Sequence, residues 1–182
     1  MAKLYVNDKM PDFSFTTPFR KDVRLSEVTR GRRLALVFLR YYGCTLCQYD
    51  LAQYAKNYDK IKATGGELLV VLQSDPDLLR EELGGTEAFP FEIICDPEEK
   101  LYREFEILPA TCQEEMVGPT TMAKIEKAMT GGFSHGRYEG EELQLPASFI
   151  LLPDLTIAFA QYAKAVDDIP DADQLVELLQ SN

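Results

Sequence analysis

Residues 34–56 read LALVFLRYYGCTLCQYDLAQYAK, and inside them Arg40-Tyr-Tyr-Gly-Cys-Thr-Leu-Cys-Gln-Tyr-Asp50 sets two cysteines three residues apart. Leu34 to Leu39 is apolar throughout, as in a strand covered on both faces. After Gly43 the period changes. Cys47, Leu51, Tyr54, Tyr58 and Ile61 recur at spacings of four, three, four and three, one face of a helix that Gly65-Gly66 ends. Cys44 and Cys47 therefore sit at a strand-to-helix junction. On a first helical turn such a pair has Cβ atoms roughly 5–6 Å apart, and a small adjustment brings that within disulfide range. A helix N-terminus leaves backbone N–H groups unpaired and carries partial positive charge, which favours a thiolate. A thiolate is the species that attacks disulfides and peroxides, and Arg40, four residues before Cys44, adds positive potential.

On the N-terminal side, Phe13 and Phe15 alternate with polar neighbours as a short half-buried strand, and LSEVTRGR reads as a helical turn stopped by Gly31. On the C-terminal side, Glu67 to Gln73 and FEIIC are buried strands. Each is followed by an Asp-Pro helix start, at Asp75-Pro76 and Asp96-Pro97. Strands alternating with helices predict parallel pairing with right-handed crossovers. The chain closes differently, with SFILL and TIAFAQY as an antiparallel hairpin around Pro153-Asp154, then an amphipathic helix DADQLVELLQ. Residues 108–145 lie between as an insertion with one helix, TTMAKIEKAM, and the glycine-rich stretch GGFSHGRYEG. That is too long for an ordinary connection and reads as a functional or interface insertion.

The chain has 182 residues, 46% of them hydrophobic, as suits one compact domain over 1–182. Nineteen basic against thirty acidic residues give net charge −11, a surface that repels nucleic-acid backbones and anionic lipid. MAKLYVNDKMPDF lacks the apolar core of a signal peptide, and no apolar run approaches the ~18 residues of a membrane span. The expected setting is cytoplasmic, where thiols stay mostly reduced and four cysteines are free, catalytic or metal-binding. Two buried cysteines acting as small hydrophobes are one reading of the pair. Half a zinc site is another, with Cys95, Cys112 and His135 as further ligands, but these form no second close pair. Redox chemistry is the reading carried forward.

The same residues resemble the thioredoxin fold, a C-x-x-C opening the helix after the central strand of an alternating β/α chain that closes in a hairpin. The details resemble its peroxiredoxin-like branch, the alkyl hydroperoxide reductase and thiol-specific antioxidant superfamily. MPDFSFTTPFRKDVRLSEV is similar to that family's opening, ICDPEEKLYREFEI to its Asp-Pro-Glu-Gly-Lys helix entry, and SFILLPDLTI to its closing hairpin. The resemblance implies a central mixed sheet flanked by helices, with an N-terminal extension and the insertion before the hairpin. It also implies that Cys47 stands at the peroxide-attacking position of Pro-x-x-x-Thr-x-x-Cys. Arg40 then replaces the family's proline, Cys44 its threonine, and Pro146 stands where its arginine would be. A proline at that place resembles thioredoxins, in which it is cis and packs against the cysteine pair.

Two mechanisms follow. In disulfide exchange Cys44, expected to be the more exposed, attacks a protein disulfide and Cys47 resolves the mixed disulfide. In the peroxidase version Cys47 becomes a sulfenic acid and Cys44 condenses with it. The missing threonine and arginine favour exchange, because peroxide cleavage depends on donors at the developing charge. A redox-regulated binding module, with the insertion as partner surface, is the reading from another class. Pro146, Arg40, Thr45 and Tyr42 are expected to shape the site, with Tyr41 and Tyr42 as an aromatic lip. Cys95 reads as a core thiol, Cys112 as a loop cysteine, and His135 as lacking an orienting partner in a flexible loop. No bound cofactor or metal is called for. An external thiol reductant of thioredoxin type is, and a homodimer stays open.

Overall fold

A computed structural model describes residues 2–181. The apolar runs became a five-stranded sheet in the order β5-β4-β3-β6-β7. At its centre β3 (Leu34–Phe38) pairs in parallel with β4 (Glu67–Leu72), and β4 in parallel with β5 (Glu92–Cys95). On its other side β3 pairs antiparallel with β6 (Ala147–Leu151), which continues into β7 (Ile157–Tyr162). A separate short ribbon, β1 (Ser14–Phe15) with β2 (Val23–Arg24), precedes α1 (Leu25–Thr29). The parallel-then-hairpin order matches expectation.

Alternate residues of β3 explain why its whole run is apolar. Ala35 and Val37 face one core with Leu68, Val70, Leu51, Tyr54, Leu175 and Leu179. Leu34, Leu36 and Phe38 face the other with Leu69, Val71, Tyr102, Phe105 and Phe149. Helices α2 (Thr45–Lys56) and α3 (Tyr58–Ala63) cover the first face beside α7 (Ala172–Ser181). One continuous helix was expected over α2 and α3. Asn57 interrupts it with φ −106° and ψ 11°, its side-chain amide donating to the Gln53 carbonyl at 2.9 Å, the local competition asparagine offers a helix.

The two Asp-Pro starts differ. Asp75 caps α4 (Pro76–Leu83), accepting from the Asp77 and Leu78 N–H groups at 2.9 and 3.1 Å. Asp96 accepts from Lys100 and Leu101 instead, and α5 (Lys100–Glu104) begins only after Glu99 passes through a left-handed conformation at φ 55°. The insertion holds a single 3-10 turn (Gln113–Met116) and α6 (Thr121–Thr130). Its ends pair as a bridge between Pro109 and Gln144. Among the described residues no helix is long and apolar enough to cross a membrane.

Candidate redox site

The site grows from the carboxyl end of β3, where open α/β sheets gather their functional loops. Residues 40–44 turn sharply, the Cys44 N–H donating to the Tyr41 carbonyl at 3.2 Å. Cys44 becomes the N-cap of α2, with extended backbone, and its Sγ accepts the Cys47 N–H at 3.4 Å. The capping task that a serine or aspartate oxygen usually performs falls here to sulfur. A thiol is a weak acceptor and a thiolate a strong one, so the cap itself favours ionised Cys44. Thr45 opens the helix, half-buried, between the two thiols in sequence.

Arg40 reaches the same sulfur, its Nη1 lying 3.9 Å from Cys44 Sγ. Its Nη2 is 3.3 Å from Glu142 Oε2 and 3.5 Å from the Tyr41 hydroxyl, and its buried Nε has no partner among the described residues. The Cys47 thiol donates to Cys44 and, with Arg40 and the Cys47 and Leu46 backbone amides, pulls the Cys44 pKa down to about 7 against the cost of burial. Burial pushes the Cys47 thiol well up, and the neighbouring Cys44 adds to that rise. Of the two, Cys44 is the cysteine whose surroundings favour the thiolate, and burial favours the thiol form of Cys47. The expected difference in exposure is absent: both are buried, at 3% and 4%.

Against the 40–44 turn lies the glycine-rich stretch, which is not the plain loop its composition suggested. Gly136 N–H donates to the Gly43 carbonyl at 2.8 Å, and Gln48 Nε2 bonds both that carbonyl and the Ser134 carbonyl. A Cβ on Gly43 would stand 1.9 Å from the Arg137 carbonyl oxygen, so only glycine admits this approach. Tyr41 is fully buried beneath, not a lip at the surface. Its hydroxyl donates to Glu142 Oε1 at 2.5 Å and lies 3.1 Å from His135 Nε2, and burial, then Glu142, raises its pKa. His135 therefore has the orienting partners its sequence context did not disclose, its Nδ1 also meeting the Gly136 carbonyl at 3.0 Å. Tyr42 packs edge-on against Phe89, its N–H held by Ser74 Oγ at 2.9 Å.

The register puts Pro146 at the same end of the sheet, next to Ala147, which pairs with Phe38. Its carbonyl accepts the Ala163 N–H at 3.1 Å. The expected cis bond is not present: every peptide bond of the described residues is trans. An ion pair to a buried acid went unread in the sequence. Asp50, one turn beyond Cys47, meets Lys124 of α6 at 2.8 Å, and burial raises its carboxyl to about 6 despite that lysine. The signal was available, an acid inside the apolar stripe of α2. Cys95 is a core thiol at the end of β5, pushed up to about 12 by burial, and Cys112 is half-exposed before the 3-10 turn. Among the described residues no three His, Cys, Asp or Glu side chains gather as a metal site.

The AhpC/TSA family profile matches residues 6–160. The chain belongs to the AhpC/TSA family. Similar solved structures include a cysteine-to-serine mutant of the peroxiredoxin 6 of Arenicola marina, 11% identical with a TM-score of 0.69 over 98% of this chain and 73% of that one. Peroxidoxin BcpB from Mycobacterium tuberculosis is 12% identical, with a TM-score of 0.66 over 97% and 96% of the two chains. A protein described as the thiol:disulfide interchange protein DsbE from Chlorobium tepidum is 16% identical, with a TM-score of 0.62 over 98% and 100%. At these identities the likeness speaks for the fold, a thioredoxin-type mixed sheet. No curated protein sequence matches the chain. Membership of the AhpC/TSA family supports a thiol-dependent redox function.

Proposed function

We propose that this AhpC/TSA chain is a thiol–disulfide oxidoreductase with Cys44 as nucleophile and Cys47 as resolving thiol. The observation that carries it is the geometry of the pair: Cys44 Sγ accepts the Cys47 N–H at 3.4 Å and lies 3.9 Å from Arg40 Nη1, contacts that favour its thiolate, while burial favours the Cys47 thiol. Peroxide attack by Cys47 needs the reverse. In the first step the Cys44 thiolate attacks one sulfur of a substrate disulfide, forming a mixed disulfide and releasing the other sulfur as a thiolate. Cys47 then loses its proton to that thiolate or to solvent. It attacks Cys44, forming the Cys44–Cys47 disulfide and expelling the second substrate sulfur, so two electrons have passed to the substrate. An external thiol reductant of thioredoxin type restores the pair by the same chemistry in reverse. A cytoplasmic setting belongs to this proposal, because the cycle draws on a reducing thiol pool.

The test compares turnover of a protein disulfide with consumption of hydrogen peroxide by the reduced chain. Cys47→Ser should trap the substrate on Cys44 as a mixed disulfide, and Cys44→Ser should abolish turnover. A second reading, thiol peroxidase, draws support from the family match and the peroxiredoxin-like folds. Fast peroxide loss with a sulfenic acid on Cys47 in Cys44→Ser would install it instead.

A further inference from the structure

With both thiols buried, no protein disulfide reaches Cys44 while the stretch 133–142 lies over the 40–44 turn. Yet that stretch is held in a way that suits removal. Among the described residues 134–140 none is buried, and Tyr138 is 68% exposed. Most of its ties are polar and separable, Gly136 to Gly43, Ser134 to Gln48, Glu139 to Ser74 Oγ and the Asp75 N–H, and Glu142 to Arg40 and Tyr41, beside ring contacts of Phe133 with Tyr49 and of His135 and Tyr138 with Tyr41. Segments with few buried contacts and solvent-facing hydrogen bonds open at low free energy. The Gly136–Arg137 backbone also lies against Gly43 as closely as a docking chain would, one residue from the nucleophile.

The covering stretch also brings a carboxylate to the arginine that touches the nucleophile. Arg40 and Cys47 act on Cys44 directly, and Tyr41, Glu142 and His135 stand one contact further out, Tyr41 and Glu142 on Arg40 and His135 on the Tyr41 hydroxyl. Arg40 is the cation among them, and it divides its Nη groups between Cys44 and Glu142. A carboxylate sharing that guanidinium draws it from the thiolate.

We infer that residues 133–142 are a strap occupying the place of an extended protein substrate, and that Glu142 is a positioning residue that withholds part of Arg40 from Cys44 until the substrate lifts the strap. This rests on the exchange reading for its substrate class. Lifting exposes Cys44, frees the Gly43 carbonyl for a substrate N–H, and turns Arg40 wholly to the thiolate. Small peroxides and small disulfides, which need no extended backbone site, gain less from it.

Two readouts test this. The first is iodoacetamide alkylation of Cys44 in the reduced chain, followed by peptide mass mapping across pH. Glu142→Gln should move the midpoint of the profile to lower pH. Gln48→Ala, which unties Ser134 without changing charge, should speed alkylation at every pH and leave the midpoint in place. Profiles equal to the wild type in both variants, or a midpoint raised by Glu142→Gln, overturn the strap. The second is amide hydrogen exchange at Gly136 in Cys47→Ser loaded with a cysteine peptide as a mixed disulfide. Protection of Gly136 should be lost, and retained protection overturns the shared docking place. These readouts do not require turnover. A chain that reduces no protein disulfide but shows both effects refutes the exchange reading and keeps the strap.

Discussion

Replacing Cys47 by alanine removes the largest influence that lowers the Cys44 pKa and leaves burial opposed by Arg40 and the helix amides. The wild-type value of about 7 stands two units below the ordinary 9.0. A rise of one to two units is the expected range. At pH 6 the thiolate fraction then falls from about a tenth to about 1% or 0.1%. Intrinsic nucleophilicity recovers about threefold per unit, from a Brønsted coefficient of about 0.4–0.5, so the net loss of rate is about threefold to tenfold. The assay is the pH profile of Cys44 attack on a small chromogenic disulfide, with midpoint and pH 6 rate read together. Cys47→Ser supplies the control, because its hydroxyl still donates to Cys44 and should keep the midpoint near the wild type. A midpoint unchanged in Cys47→Ala, or equally displaced in both variants, would refute the assignment of Cys47 as proton donor to the Cys44 thiolate.

Other outcomes follow from the same geometry. Burial lifts Asp50 to about 6 from 3.8, so the folded chain prefers it neutral and ionising it costs stability above pH 6, a cost relieved as pH falls below 4. Relative to the wild type, Asp50→Asn should therefore gain stability in urea as pH rises from 4 to 8; a difference that stays flat or falls across that range contradicts this. Gly43→Ala drives a methyl into the Arg137 carbonyl and should cost about 1–3 kcal/mol, or expel the stretch 133–142 and expose it to limited proteolysis. Wild-type stability together with wild-type protease resistance would mean the close approach is not kept in solution. Cys95→Val, a near-isosteric change in the core at the end of β5, should alter disulfide turnover little and stability by less than about 1.5 kcal/mol; loss of turnover would give Cys95 a redox role.

Periodicity alone carried most of the frame. The runs at Leu34, Glu67 and Glu92 announced buried strands, and the switch of period after Gly43 announced a helix beginning at the cysteine pair, because side-chain direction repeats with fixed local geometry. Asp75 marked the start of α4 for an equally local reason, a side-chain cap, and Gly84 ends it in a left-handed conformation at φ 72°. Asp96 shows the limit of such signals, since the same Asp-Pro pair capped a helix only through a left-handed Glu99. The groups that lower Cys44 lie in its own turn and helix, but the burial that raises Cys47, and what lies over the 40–44 turn, were decided elsewhere. Arg40 meets Glu142 across 102 residues of chain, Tyr41 meets His135 across 94, and Asp50 meets Lys124 on another helix. Those meetings depend on how a loop closes over a sheet end, and no spacing encodes them. The reactivity proposed for the pair thus follows from local sequence in the groups that favour the Cys44 thiolate and from tertiary burial in what opposes it, because desolvation acts through space and not along the chain.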